Sequence, residues 1–315
     1  MRQLLESLLP QAERLNVEVC VSNNCSSDGT AEYLSTLSTY SCFKFRSQPQ
    51  QIGLDENMAA ALALGKGRFL YPLGDDDFIP ENALEKILDE LDSEAELIIQ
   101  NASMTDANLI PENPLLPPAL QGIYFSTPTE AFQNLWDKMP FGSFIASRIC
   151  FDAIIFSRYF NTRHAYAGVV WEALALKFRS SGTCKVKCNS QQTVLLRGGS
   201  KTWRKDSAII FLYGVPHWFA TLGKFVEYQH YATQLRHQYI HDQTSFKSLL
   251  QYCSHHQLTQ ELLLLLFREH SSETFYKIKL ISQIPPLLAS WIYAFIQLPK
   301  TFRRKVRETI RGIKN

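Results

Sequence analysis

Phe69-Leu70-Tyr71-Pro72-Leu73-Gly74-Asp75-Asp76-Asp77 is an apolar run that ends in three adjacent carboxylates. Like charges in contact repel, so a triplet at a strand end must be solvated or neutralised by a cation. In an extended segment alternate side chains point to opposite sides, which sets Asp75 and Asp77 on one side and Asp76 on the other. Two carboxylates on one side of a loop suit a hard divalent ion such as Mg²⁺, with diphosphate oxygens and water completing its shell. An acidic surface turn would carry the same residues, and the triplet alone leaves both readings open.

The flanking sequence places the triplet in a fold. Upstream, residues 51–67 (QIGLDENMAAALALGKG) read as a helix rich in Ala and Leu, closed by Gly65 or Gly67. Downstream, Pro80-Glu81-Asn82 starts another helix whose Leu84, Ile87, Leu88 and Leu91 share one face. A buried strand therefore hands over to a helix at the triplet, and in open α/β sheets ligands bind at that carboxyl end. Earlier in the chain, Val17–Val21 alternates like a strand and runs into the polar turn Ser22-Asn23-Asn24-Cys25-Ser26-Ser27-Asp28-Gly29-Thr30. A helix from Ala31 to Leu37 follows, with Ser27 or Asp28 as its expected cap. A small polar turn after a strand is an ordinary connection; two of them in one α/β register, the second ending in a carboxylate triplet, are not.

These motifs, in this order, resemble family 2 glycosyltransferases over about residues 1–200. The resemblance implies an α/β chain with the GT-A fold, a Rossmann-like mixed sheet flanked by helices. The turn at 22–30 is similar to the family's Asp-Asn-x-Ser-x-Asp-Gly-Thr pattern, Gln51-Ile52-Gly53 and Asn57 to its segment before the metal motif, and Gly74-Asp75-Asp76-Asp77 to the metal motif itself. The Leu-Gly-Asp-Asp-Asp form and the Asn57 spacing resemble the abequosyltransferase-type branch, which builds bacterial O-antigen. By this resemblance Ser22, Asn23, Asn24, Asp28, Gly53 and Asn57 bind the base and ribose of a nucleotide-sugar donor. Asp75 and Asp77 hold Mg²⁺ or Mn²⁺ on its diphosphate, and Asp76 supports the sugar or ribose. Two departures stand out. The family opens with a hydrophobic strand ending in Pro-Thr-Tyr-Asn-Arg, whereas Met1–Pro10 resembles the helix after it, so that first strand is expected to be missing. Asn23 stands where the family often has an Asp; it can accept from or donate to a pyrimidine edge without bringing charge.

Residues 101–122, with Pro111, Pro114, Pro117 and Pro118, read as a long loop, and residues 141–147 as a strand or buried turn. A helix is expected from Val169 to Arg179, ended by Ser180-Ser181-Gly182. Inverting sugar transfer needs a base to take the proton of the acceptor hydroxyl. The family supplies it from a Glu-Asp pair near the start of this helix, and counting back from Gly182 reaches Trp171-Glu172. Glu172 is thus the expected base, without the adjacent acid; a surface helix carboxylate is the plain alternative. His164, in the loop before the helix, is a second candidate for the base or a substrate contact. Thr183–Cys188 reads as an edge strand. Arg197, Ser200 and Lys201 around Gly198-Gly199 resemble the family's terminal Arg-x-x-x-Ser segment and would fold over the diphosphate to neutralise the leaving group; a hairpin with solvated charges is equally compatible.

Composition agrees with an enzyme of this kind. The chain has 315 residues, 45% hydrophobic and 20% charged, enough for one large or two modest domains. A net charge of +2 gives no bulk support for a nucleic-acid role. Seven cysteines without a Cys-x-x-Cys pair read as free thiols, and no signal peptide or uninterrupted spanning segment is expected. Residues 1–204 are expected to form the catalytic domain and 205–315 a helical region. There Glu261–Phe267 is too short to span and reads as a buried helix. Ile284–Ile296 is apolar and aromatic, and seven Lys and Arg residues follow between 300 and 314 against Glu308. Such a pairing suits an anionic membrane surface; a core helix with a solvated tail is the alternative. The expectation is a cytoplasmic glycosyltransferase, peripheral on the inner membrane face, that moves a sugar to a saccharide or lipid-linked saccharide with inversion. An inactive remnant with a binding or membrane-docking role is the rival. A nucleotidyltransferase is disfavoured because no early Gly-x-Gly-x-x-Arg loop is present.

Overall fold

Leu4, Leu5, Leu8, Leu9 and Ala12 recur at the spacing that lines one face of a helix, and they are the buried face of α1 (Arg2–Leu15). Asn16 closes it in the left-handed conformation, φ 53°, which Asn tolerates. The computed structural model describes residues 1–159, 165–197 and 207–297. In it the α1 face meets Ile79, Leu84, Ile87, Ile98 and Val194 in one core.

The chain divides into two compact units, Met1–Lys201 with Thr221–Ala232, and Thr202–Ala220 with Thr233–Asn315. In the first, β1 (Val19–Asn23) and β2 (Phe43–Ser47) form a separate two-stranded parallel sheet, with α2 (Thr30–Thr36) between them in sequence. Then follow α3 (Leu54–Leu64), β3 (Phe69–Leu70), α4 (Ala83–Asp89), β4 (Leu97–Thr105), β5 (Pro111–Pro114), β6 (Tyr124–Phe125), α5 (Pro128–Leu135), β7 (Phe144–Ser147), α6 (Ala153–Ser157), α7 (Ala165–Ser181) and β8 (Val186–Arg197). The larger sheet runs β3-β7-β4-β8-β6, with β5 also paired to β4; β4 and β8 are parallel and the other pairs antiparallel. This is the mixed sheet flanked by helices that the sequence implied.

Several local expectations need correction. Residues 101–105 are not loop: they complete β4, in which every residue but Met104 is buried, and β5 folds back on it as a hairpin. Nor is Thr183–Cys188 an edge strand, because β8 lies inside the sheet between β4 and β6. The cause is shared. A strand buried on both faces ordinarily reads as continuous apolar residues, but here Gln100, Asn101, Asn189 and Thr193 are buried polar groups. They bond across the β4–β8 pair: Asn189 donates to Gln100 Oε1 at 3.3 Å, and Asn101 donates to Ser190 O at 2.9 Å. The apolar run before the triplet is a strand only at Phe69–Leu70, since Pro72 has no N–H for a ladder. At α2 the N-cap is Gly29, φ 82°, rather than Ser27 or Asp28; Asp28 instead accepts from the Thr30 hydroxyl at 2.6 Å.

Residues 221–232 lie beyond the expected boundary at 204, yet belong to the first unit. There the Tyr228 hydroxyl donates to Trp171 O at 2.7 Å, and Arg179 grips Glu227 with two bonds of 2.8 and 2.7 Å. The second unit is helical: α8 (Ser207–Ile209) continues through a π-helical turn, Ile210–Gly214, into α9 (Val215–Leu222). α10 (Gln229–Gln243), α11 (Phe246–Ser254), α12 (Gln260–Glu269), α13 (Ser272–Ser282) and α14 (Pro286–Gln297) follow. Leu212, Leu249, Leu266, Ile278 and Ala289 are among its core residues. Ser245, Thr259 and Ser271 each cap a helix with a side-chain oxygen.

Candidate functional site

The aspartate turn is held on three sides. Tyr71 donates its hydroxyl to Gly142 O at 2.9 Å, and Gly142 N donates to Pro72 O at 2.8 Å, so the chain leaving β3 is fixed to the turn before β7. Phe78 and Leu195 exchange two backbone bonds of 2.9 Å, which ties the far side of the triplet to β8. Arg197, at the end of β8, donates to the carbonyl of Asp76 at 2.9 Å, to Ala107 O at 2.7 Å and to Gln3 Oε1 at 2.6 Å. From α1, Gln11 donates to Pro80 O and accepts from Leu84 N, anchoring the start of α4.

Within this frame the three carboxylates differ. Asp75 is exposed, Asp76 half-buried and Asp77 buried. Asp77 accepts from Gly74 N at 2.9 Å. Its carboxyl is pushed up to about 7, first by burial and further by Asp76 and Asp75, while the backbone N–H groups of Gly74 and Arg197 partly offset the rise. A glycine at 142 is required twice over: its φ is +78°, and a Cβ there would stand 2.7 Å from Asp77 Oδ2 and from Leu196 Cδ2. Tyr166, buried at the start of α7, feels the Asp55 and Asp77 charges; burial and those two acids raise its hydroxyl. Asp55, in the first turn of α3, is itself 3% exposed. Tyr166 thus lies within electrostatic reach of both Asp55 and Asp77. The reading from sequence missed Asp55, Tyr166, Tyr71 and Gly142, although Asp55 lies inside the quoted 51–67 stretch.

α3 also links to the turn after β1. Ser22 donates to Asn57 Oδ1 at 2.7 Å and Asn57 returns a bond to Ser22 O at 3.1 Å. Asn24 and Ile52 exchange two bonds of 2.9 Å, and the Gly53 N–H is taken by Glu56 Oε2 at 2.8 Å. Asn23 is buried, donating to Ser47 Oγ and accepting from Ser26 N. Asp28 is exposed, bonded to Thr30. Ser22, Asn24, Gly53 and Asn57 are thus brought together as one shaped corner.

Glu172 stands elsewhere in character. Its side chain is 1% exposed; one oxygen is bound by Arg158 and the other accepts from the Tyr159 hydroxyl at 2.6 Å. The Tyr159 ring packs so closely on Gly168 that a Cβ there would lie 2.4 Å from it. A base must reach the proton it removes; in this structure both oxygens of the carboxylate are bonded inside the protein, to Arg158 and Tyr159. His164, Ser200 and Lys201 lie outside the described residues. Arg197 is beside the triplet as expected, with its guanidinium bonded to protein oxygens.

A divalent metal needs several oxygen donors around it. Among the described residues no three His, Cys, Asp or Glu side chains are grouped to hold an ion. Asp77 is a buried carboxylate whose charge burial and two neighbouring acids disfavour, the electrostatic defect a divalent cation would relieve. The residues present fit an ion that takes one or two carboxylates and draws its other oxygens from diphosphate and water; they do not fit an ion held by protein alone.

Residues 1–150 match the model of Glycosyl transferase family 2. The chain is 28% identical over 113 residues to the abequosyltransferase RfbV of Salmonella typhimurium, a match covering 35% of this chain and 34% of that protein, so it spans about a third of that relative. Among solved structures, S. aureus TarS superposes with a TM-score of 0.54 at 12% identity, over 89% of this chain and 50% of that one. A crystal structure of TarS 1-349 in complex with UDP-GlcNAc gives 0.51 at 12% identity, over 90% and 86%. At that identity the likeness shows the fold, which is GT-A.

Proposed function

We propose, from the membership of residues 1–150 in glycosyl transferase family 2, that this protein transfers a sugar from a nucleotide-sugar donor to a saccharide or lipid-linked saccharide acceptor. The observation that carries the reading is Asp77: a buried carboxylate among acids, raised to about 7, at the carboxyl end of a sheet strand. The corner made by Ser22, Asn24, Gly53 and Asn57 would take the base and ribose, with Asn23 fixing the turn and Asp28 at its exposed edge. Asp75 and Asp77 would hold Mg²⁺ or Mn²⁺, and Asp76 and Arg197 would border the diphosphate. An ion held there would supply Lewis-acid stabilisation to the departing nucleoside diphosphate. The acceptor hydroxyl attacks the anomeric carbon as its bond to the diphosphate oxygen breaks, with inversion. The proposed proton acceptor is His164, two residues before Tyr166 in sequence, in place of Glu172.

The finer parts of the proposal are an O-antigen-type role, supported by the similarity to an abequosyltransferase, and a peripheral position on the cytoplasmic face of a membrane. Titration calorimetry with UDP, GDP, CDP and dTDP, with and without Mn²⁺, tests the core of it. One of these should bind only with Mn²⁺ to the wild type and fail with Asp77→Asn. Equal binding with and without the ion, or in both proteins, would remove the triplet from the site.

A further inference from the structure

The second unit presents apolar side chains where a helical bundle ordinarily presents polar ones. On α12, Leu262, Leu263 and Leu266 are buried as expected, but Leu264 and Phe267, three residues apart on the opposite face, are 73% and 65% exposed. On α13, Tyr276 and Leu280, one turn apart, are 63% and 67% exposed. Leu287 and Trp291 do the same on α14, at 79% and 76%. The patches adjoin. The Phe267 ring meets Phe275 edge-on at 5.1 Å, and Phe275 meets Tyr276 at 5.8 Å. Leu280 and Leu287 flank the short break between α13 and α14, where the two helices turn by 105°. Scattered apolar residues on a surface are ordinary; three neighbouring helices each exposing a pair at helical spacing are not.

We propose that α12, α13 and α14 together form a face that lies in the interface of an anionic lipid bilayer. The occupant follows from the chemistry around the face. Exposed Lys277 and Lys279 alternate with Tyr276 and Leu280 on α13. In sequence, seven Lys and Arg residues between 300 and 314 follow α14 against Glu308. Trp and Tyr with flanking cations are the composition of an interfacial helix. The acids on these helices are Glu261, Glu269 and Glu273. Glu269 is paired with His217 and Arg236. Glu261 and Glu273, in the first turns of α12 and α13, share the exposed face with Leu264 and Tyr276 and are outnumbered there by Arg268, Lys277, Lys279 and the basic residues beyond 300. No described helix is long and apolar enough to cross a membrane, and the 11 and 12 residues of α13 and α14 fall short of the roughly 20 a span needs. Only taken together do α13 and α14 have the length and apolar composition of a span, and the 105° bend between them breaks that span in two; a position along the surface is the arrangement proposed. This rests on the peripheral position in the proposed function and names the surface responsible for it; it does not depend on the sugar-transfer chemistry, which nucleotide binding tests separately.

The test is flotation of the full chain with vesicles of phosphatidylcholine alone and with added phosphatidylglycerol. The variants are Leu264→Ser with Phe267→Ser, Tyr276→Ser with Leu280→Ser, and Leu287→Ser with Trp291→Ser. These side chains are exposed and the variants should fold, which circular dichroism and unchanged Mn²⁺-dependent nucleotide binding check independently. The wild type should float with the anionic vesicles, and each pair should lower the partition coefficient by about tenfold or more. Flotation that survives the α12 and α13 substitutions overturns the three-helix face. Absence of wild-type flotation overturns the bilayer, and a wild-type dimer in light scattering that the variants dissolve would then assign the face to a second copy of the chain.

Discussion

Replacing Asp77 by Asn should make the protein more stable and inactive at once. Burial lifts this carboxyl from 3.8 to about 7. At about 1.4 kcal/mol per pH unit, keeping it charged in the folded protein without a cation costs about 4 kcal/mol. The sign follows from the direction of the shift. Below pH 3.8 folded and unfolded chains both carry the proton, and no penalty exists. Between 3.8 and 7 the unfolded chain ionises while the folded one keeps its proton, so stability falls as pH rises, and the loss is complete above about 7. Asn has no such term, and its oxygen can still accept from Gly74 N. The gain of Asp77→Asn should therefore be about 1.5 kcal/mol at pH 5 and about 4 kcal/mol at pH 8, the upper end of what relaxation of the turn permits. Chemical denaturation from pH 5 to 8, without divalent ions, measures it. Adding Mn²⁺ with the nucleoside diphosphate that binds should raise the wild type alone and close the gap. A pH-independent difference, or a variant less stable than the wild type at pH 8, would refute the assignment of Asp77 as a carboxylate strained for a cation.

Gly142→Ala should lose about 1–2 kcal/mol for the left-handed backbone alone, and more because its Cβ meets Asp77 Oδ2. Gly122→Ala, at φ +74° with open space around it, isolates the backbone part, and only Gly142→Ala should weaken Mn²⁺-dependent nucleotide binding by calorimetry. Glu172→Gln should destabilise by about 1–3 kcal/mol, the usual effect of disturbing a buried hydrogen-bonded group, with donor affinity kept. A loss of transfer at unchanged melting temperature would return Glu172 to the role of base. His164→Asn should keep donor binding and lower transfer by on the order of 10²–10⁴, measured by release of the nucleoside diphosphate under saturating donor.

The sequence revealed what rests on local chemistry. Ser22, Asn24, Gly53 and Asn57 were legible because each serves a turn or helix start, and such positions tolerate few residue types. The triplet was legible because nothing in a plain strand-to-helix turn calls for three adjacent acids. What stayed hidden depends on the sheet. β4 and β8 were misread past residue 100 because their buried faces carry Gln100, Asn101, Asn189 and Thr193, polar groups whose bonds form only once the strands pair: Asn189 and Thr193 donate to Gln100 Oε1, and Asn101 donates to Ser190 O. The surroundings of Glu172 were hidden for the opposite reason: a count along the helix gives its place in sequence but not the direction in which it points, and on α7 it points at Arg158 and Tyr159.

The same distinction explains the uneven character of the three aspartates. Their order in sequence is uniform, and alternation would set Asp75 and Asp77 alike. The pairing of Phe78 with Leu195, the carbonyl of Asp76 held by Arg197 and the close approach of Gly142 instead draw Asp77 inward and leave Asp75 in water. One carboxylate is held rigidly in a low-dielectric wall while the other is free to follow an incoming ion. In the proposed mode, a cation shared with a diphosphate would bind where one ligand is already positioned and another can close on it. Affinity would then arise only when the diphosphate arrives with the metal, as a donor site that must release its product requires.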